Sequence, residues 1–198
     1  MCVSGRMTVT GSSRLKGEPA HPVSPGRVVR RAAYCLFVKV LGIDPGTATC
    51  GYGIVHESGG RLQALDHGWW RTPATDSPAR RLTTIFDRVA ELLELHEPAA
   101  VALEEVFVGA DARTALAVGQ ARGAILVACG RADIDCREYA PARIKQAVCG
   151  FGRADKSQVQ RMVKAILKLE REPRPTHAAD ALAVAICDAL ASPLLRHA

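Results

Sequence analysis

The chain has 198 residues, 48% of them apolar and 23% charged, which is the balance of a globular protein with a full hydrophobic core. No apolar run approaches the roughly 18 residues that span a bilayer. The basic N-terminus also lacks the continuous apolar stretch of a secretory signal, so neither a membrane protein nor an exported one is expected. Seven cysteines without a C-x-x-C pair read as neither a zinc ribbon nor a disulfide framework, and they fit a reducing cytoplasm.

The formal charge of +6 is unevenly placed. Residues 1–37 hold six basic side chains against Glu18 alone, so the overall charge says little about the rest. Between residues 137 and 171, by contrast, nine basic side chains are interrupted by only three acids. Such a run is either a solvated helix face or a phosphate-binding surface.

Residues 1–36 are rich in Gly, Ser, Pro and Arg without periodicity, and read as a disordered basic extension. A start codon assigned too far upstream, with translation beginning near Val38, would explain the same pattern. Mass spectrometry of the native N-terminus distinguishes the two. A single folded domain is expected over 37–192, with a flexible tail at 193–198.

Within the domain, 38–44 reads as a buried strand, and 51–57 and 61–72 as two more joined by Ser58-Gly59-Gly60. Ser77 and Pro78 supply an N-cap and a first-turn proline. The helix they start runs to Glu97, with Leu82, Ile85, Phe86, Val89, Leu92 and Leu93 on one face, and Pro98 stops it. A fourth strand spans 99–104, a helix 111–130 and a fifth strand 134–138. Helices over 141–149 and 156–170 flank Gly150-Phe151-Gly152, and Thr176 caps a last helix ending at Leu190. Three meandering strands followed by alternating helix and strand predict an α/β sandwich on a mixed five-stranded sheet.

Chemistry concentrates in acids far apart in the chain. Asp44 ends the first strand in Asp-Pro-Gly, Glu104-Glu105 ends the fourth, and His177 and Asp180 lie three apart on the last helix and so share a face. Hard anionic oxygens delivered from distant segments are how a fold builds a divalent-metal site. Each element has a plainer reading: a turn residue for Asp44, a solvated strand end for the glutamates, first-turn helix chemistry for Asp180. Glu104 and Glu105 point to opposite faces of a strand, so at most one faces the same site as Asp44.

In order along the chain stand Gly42-Ile43-Asp44-Pro45-Gly46 with Gly51-Tyr52-Gly53, Leu103-Glu104-Glu105-Val106-Phe107 and Gly119-Gln120-Ala121-Arg122-Gly123. Tyr139-Ala140-Pro141, Ile144-Lys145-Gln146, Lys156-Ser157-Gln158-Val159 and Ala178-Ala179-Asp180-Ala181-Leu182-Ala183 follow. Together they resemble the RuvC family of crossover (Holliday) junction endodeoxyribonucleases over about residues 38–190. The resemblance implies an RNase H-like fold, a homodimer and metal-dependent phosphodiester hydrolysis in DNA recombination and repair. It implies two Mg²⁺ or Mn²⁺ ions per site, bridged by Asp44 and roughly 4 Å apart. The products implied are 5′-phosphate and 3′-hydroxyl ends, and the implied partners are four-way junction DNA and a branch-migration helicase.

By position, Asp44, Glu104 and Asp180 match the family's catalytic carboxylates, and Glu105 does not. His177 stands where some relatives carry Asp, so it counts as a fourth candidate for metal binding or for orienting water. Lys145 and Lys156 match basic residues near the family's active site, and Arg153, Arg161 and Lys164 extend the expected DNA surface. On the fourth helix Arg161, Lys164, Lys168 and Arg171 are expected outward, opposite Val159, Met162, Val163 and Ile166. Phe107 is implied to stack on or wedge an unpaired base at the junction centre. Ala115, Gly119 and Gly123 recur every four residues in the middle helix, for packing against the sheet or against a second copy.

Two rivals remain open at this level. Asp44–Thr47 also resembles the phosphate loop of actin-type ATPases, although those need two such domains. His177 also leaves room for a module that binds junctions without cutting them. Incubation of a synthetic four-way junction with Mg²⁺ or Mn²⁺, alongside an ATPase assay without DNA, separates all three.

Overall fold

The computed structural model describes residues 37–105 and 112–191. The strands are β1 (Phe37–Asp44), β2 (Thr49–Ser58), β3 (Arg61–Arg71), β4 (Ala100–Glu104) and β5 (Cys136–Tyr139). The helices are α1 (Pro78–His96), α2 (Ala112–Ala132), α3 (Pro141–Cys149), α4 (Lys156–Leu167) and α5 (Thr176–Leu190). The sheet order is β3-β2-β1-β4-β5. β1 to β3 form an antiparallel meander, whereas β4 and β5 run parallel to β1, so the sheet is mixed and five-stranded as expected.

Alternation along the strands divides the interior into two cores. Leu41, Ile43, Val101 and Leu103 face α1 and α2, meeting Ile85, Val89, Leu93, Ala121 and Ile125. Val40, Val55 and Ala102 face α5, which in turn carries α3 and α4 through Ile144, Val148, Val159 and Val163. α5 is therefore sandwiched between the sheet and a helical layer, and its residues 181–189 are all buried. A helix apolar on every side belongs in such a position.

Glycines on the strands let α5 sit directly on the sheet. A Cβ added to Gly42 would collide with the Ala181 carbonyl and lie 2.7 Å from the Ala185 amide nitrogen. One at Gly51 would collide with the His177 carbonyl, and one at Gly53 would lie 2.6 Å from Leu182 Cδ2. Gly42 and Gly53 are partners across the β1–β2 ladder, so the cleared patch is contiguous. At its far end α5 is pinned by charge. Asp188 is fully buried, with both carboxylate oxygens 3.2 Å from Arg137 Nη1 and the Tyr139 hydroxyl donating at 2.7 Å. A buried carboxylate is tolerated only when paired and hydrogen-bonded in this way.

Local signals behave as the residue types require. Ser77 Oγ accepts from the Arg80 amide at 3.3 Å, and α1 closes on Glu97 at φ 45°, just before Pro98. Asp155 and Gln158 form a reciprocal capping box at the start of α4.

Several expectations need correction. α4 ends at Leu167 rather than at residue 170, because Lys168 adopts the left-handed conformation (φ 52°) and closes the helix. Lys168 and Arg171 therefore lie beyond the helix and do not continue its stripe. Met162, expected inward, is exposed, because Val159, Val163 and Leu167 already fill the buried seam of α4. Pro175, not Thr176, occupies the N-cap of α5, and no side chain caps that end. β5 starts at Cys136, two residues later than expected, and α2 runs two residues further, to Ala132. The expected extension over 1–36 and tail over 193–198 lie outside the described residues.

Because backbone atoms receive the added methyl and cannot swing aside, Gly42→Ala is expected to destabilise the fold by about 3 kcal/mol. For a chain of this size that lowers Tm by about 6–12 °C, readable by thermal circular dichroism. An unchanged Tm would refute the close packing of α5 on β1.

Candidate active site

Asp44 and Glu104 are the last residues of β1 and β4, which run parallel with Ile43 opposite Leu103. The two carboxylates therefore leave the sheet side by side. Since Ile43 and Leu103 point into the α1/α2 core, alternation turns Asp44 and Glu104 to the α5 face. Glu105, one residue on, is exposed and turned the other way. From above, the first turn of α5 presents His177 and Asp180 three residues apart, while Ala178 and Ala179 between them are buried.

His177 Nδ1 lies 2.6 Å from Asp44 Oδ2, and the carboxylate oxygen accepts when the imidazole carries its proton on Nδ1. Ligand atoms of Asp44, His177 and Asp180 all fall within 4.8 Å of one another. Glu104 adjoins this group across a cleft of about 210 Å³ that it lines together with Lys145, Lys156 and Asp180. Lys156 Nζ stands 2.7 Å from Asp180 Oδ2. The sequence-selected carboxylates, the imidazole and two of the lysines thus converge. Arg153, Arg161 and Lys164 do not line the cleft: Arg153 and Arg161 are exposed, and Lys164 borders a separate hollow with Glu170, Arg171, Glu172 and Arg174. Phe107 lies outside the described residues.

Electrostatics mark the site as short of positive charge. Burial pushes the Asp44 carboxyl above the usual range; the His177 hydrogen bond opposes this, and the neighbouring Asp180 charge adds to it. Glu104 is raised by burial and then by Asp44 and Asp180, while Lys145 and Lys156 pull it back. Burial lowers the Lys156 ammonium, but its bond to Asp180 and the pull of Asp44 and Glu104 outweigh that, so it holds its proton more tightly than usual. Oxygen-rich donors that repel one another when ionised, with one imidazole among them, fit a hard or borderline divalent cation.

Support for the site comes from the opposite layer, which motif reading missed. Arg81 on α1 donates from Nε to Thr72 Oγ1 at 2.9 Å and from Nη2 to the Thr47 carbonyl at 2.7 Å, and the Thr72 hydroxyl also donates to that carbonyl. The loop after Asp44 is held by these bonds. Arg122 on α2 donates to the Glu104 carbonyl. Arg122 belongs to a segment quoted above, yet only its burial and its partners give it a role.

Carboxylates at the ends of adjoining parallel strands, faced by an acid on a helix laid across a five-stranded mixed sheet, define an RNase H-like nuclease architecture. The yeast mitochondrial Holliday junction resolvase Ydc2 shares that fold, with a TM-score of 0.58 at 14% identity over 77% of this chain and 78% of its own. Residues 40–188 match the family profile of crossover junction endodeoxyribonuclease RuvC. The protein of that name from Moorella thermoacetica is 53% identical over 154 residues, covering 78% of this chain and 92% of the relative. Its namesake from Heliobacterium modesticaldum is 54% identical over 148 residues, covering 75% and 91%. Thermus thermophilus RuvC, solved in complex with a Holliday junction substrate, superposes with a TM-score of 0.73 at 40% identity, over 76% of this chain and 92% of that one. The chain belongs to the RuvC family of crossover junction endodeoxyribonucleases.

Asp44 is raised in the folded state, so its ionisation opposes folding. That cost is absent below the unfolded pKa and complete once pH has risen through the folded one. Asp44→Asn keeps an oxygen that accepts from His177, so without divalent metal it is expected to raise Tm at pH 8 and to lose that advantage as pH falls into the carboxylate range. A variant no more stable than wild type at pH 8 in EDTA would contradict the desolvation argument.

Proposed function

We propose that the chain is a structure-selective endonuclease that resolves Holliday junctions by paired symmetric nicks, in homologous recombination and DNA repair. The observation that carries this reading is the convergence of Asp44, His177 and Asp180 on one point, with Glu104, Lys145 and Lys156 lining the adjoining cleft. Its family membership and the junction-bound Thermus relative support the same substrate.

Asp44, Glu104, Asp180 and His177 would hold divalent cations, two in the family's pattern. Such cations, when bound, supply Lewis acidity at the phosphate and a water acidic enough to attack near neutral pH. The chain's own groups do the rest. Asp44 sits between the β4 carboxylate and the helix, and its bond to His177 Nδ1 fixes the imidazole plane and leaves Nε2 free to take a ligand or a water proton. Lys145 and Lys156, both lining the cleft, would neutralise the scissile phosphate and its neighbours, with Lys156 exchanging its Asp180 partner for a DNA phosphate. Arg153, Arg161 and Lys164 extend phosphate contact away from the cleft, and Phe107 is proposed to meet an unpaired base. Hydrolysis leaves 5′-phosphate and 3′-hydroxyl ends, which a ligase joins directly.

A four-way junction has two-fold symmetry, so we place a second copy on the outward face of α2. Leu116 and Val127 are exposed there, and a Cβ added at Gly119 or Gly123 meets nothing within 4 Å among the described residues. The exposure of Gly119 and Gly123 supports the second of the two roles open to them, packing against a second copy. Work beside a branch-migration helicase in the cytoplasm completes the proposal, and no helix among the described residues is long and apolar enough to cross a membrane.

On a synthetic junction, symmetric nicking is expected with Mg²⁺ or Mn²⁺. Asp44→Asn should slow it by about a thousandfold, the worth of several kcal/mol of metal-derived stabilisation, with binding retained. Because an imidazole replaces a carboxylate, Mn²⁺ should serve at least as well as Mg²⁺, and His177→Asp should move the preference towards Mg²⁺. Clearly faster wild-type cleavage in Mg²⁺ at matched concentrations counts against that role for His177.

Gly123→Glu removes about 1 kcal/mol of helix penalty within one chain, so the fold should persist. The same charge buried between two copies should leave a monomer in sedimentation velocity, and a variant that stays dimeric rules out this face.

A further inference from the structure

Arg122 and Asp188 are the charged side chains buried among the described residues. Asp188 is answered by Arg137 and Tyr139. Arg122 is answered differently. Its Nη2 pairs with Glu138 Oε1 at 2.5 Å, while its Nη1 donates at 2.5 Å to a neutral acceptor, the main-chain carbonyl of Glu104. Burying a guanidinium is costly unless its donors are used, and a single carboxylate could take two of them. Here one arm goes instead to the peptide that follows a metal-site carboxylate.

We propose that Arg122 is a positioning residue that aims the Glu104 carboxylate by clamping the Glu104–Glu105 peptide; the proposal rests on the nuclease reading above. β4 ends at Glu104, and its last bond to β5 runs from the Glu105 amide to the Tyr139 carbonyl at 2.9 Å. The Glu104 carbonyl projects from the same planar peptide unit as that amide, so the two bonds hold both ends of one rigid plane. With that plane set, the Cα–Cβ direction of Glu104 loses most of its freedom. The guanidinium suits the task because its donors are fixed in one plane, whereas a lysine ammonium offers rotating donors on a flexible stem. Glu138, on the strand beside β4, anchors the other arm and keeps the guanidinium from swinging out to solvent.

The test uses the full chain and four variants: Arg122→Met, Arg122→Lys, Glu138→Gln and Glu104→Gln as the inactive control. Four quantities are read: Tm, junction affinity in EDTA, single-turnover cleavage against Mg²⁺ concentration, and amide hydrogen exchange of the peptide holding Glu104 and Glu105. Loss of an outer-shell partner of this kind costs about 10–100-fold in metal affinity or rate, so Arg122→Met should cleave that much more slowly, need more Mg²⁺, and bind the junction as wild type does. Arg122→Lys should recover part of the rate, and Glu138→Gln, which keeps the Glu104 bond, most of it. Exchange at the Glu105 amide should quicken in Arg122→Met and Arg122→Lys while β1 and β2 stay protected.

Unchanged exchange at Glu105, or cleavage equal to wild type in a folded Arg122→Lys, overturns the proposal. So does a Glu138→Gln defect as deep as that of Arg122→Met, which would assign the effect to the ion pair alone. If wild type itself leaves the junction uncut, the nuclease reading fails, and the exchange measurement still decides whether Arg122 holds this peptide.

Discussion

Everything in this structure that bears on chemistry depends on how closely α5 lies on β1 and β2. Gly42, Gly51 and Gly53 offer no Cβ, and Ala178, Ala179, Ala181, Ala183 and Ala185 offer only methyls, so main chain approaches main chain. The contact beneath Gly51 is with His177 itself. The same gap that lets the core close therefore delivers the imidazole to Asp44 and brings Asp180 to the rim of the cleft. A bulkier residue at any of these strand positions would move the helix and its ligands together.

Against that scaffold the acids are held in an arrangement they would not choose. Burial raises the cost of ionising Asp44 and Glu104, and the neighbouring carboxylate charges add to it. Lys145 and Lys156 relieve part of the strain. The bare cluster therefore opposes folding, the cost that a candidate metal site carries until a cation offsets it.

The layer on the other side of the sheet does quieter work. Arg81 ties the loop after Asp44 to the end of β3, and Arg122 reaches the carbonyl of Glu104. Both arginines come from helices that pack on the face opposite the carboxylates. The site is therefore gripped from both sides of the sheet, by glycine contact above and by guanidinium bonds below. Its geometry depends on α1 and α2 as well as on α5.

Much of this was legible in the residues alone. Apolar runs ending in Asp44 and Glu104, the Ser77-Pro78 start and the Pro98 stop are local signals, carried by backbone preference and side-chain period, and they determined the five strands and five helices to within a few residues; the choice of Asp44, Glu104 and Asp180 among the acids came from the resemblance. The failures were local too. The end of α4 hinges on Lys168 adopting a left-handed backbone that its side chain does not announce, and the α5 cap falls on Pro175, one residue before the hydroxyl of Thr176. What only the tertiary structure decided was which groups meet. Strand alternation allowed either Glu104 or Glu105; the resemblance pointed to Glu104, and the sheet turns Glu104 towards α5 because Leu103 faces α1 and α2. Nothing in the spacing of Arg122 or Arg81 marks them as neighbours of the carboxylates, since those contacts span layers that only packing brings together. The sequence alone determined the donors of the site and their order along the chain. Their distances and mutual repulsion, and the arginines that hold them, exist only where the glycine-cleared strands and α5 touch.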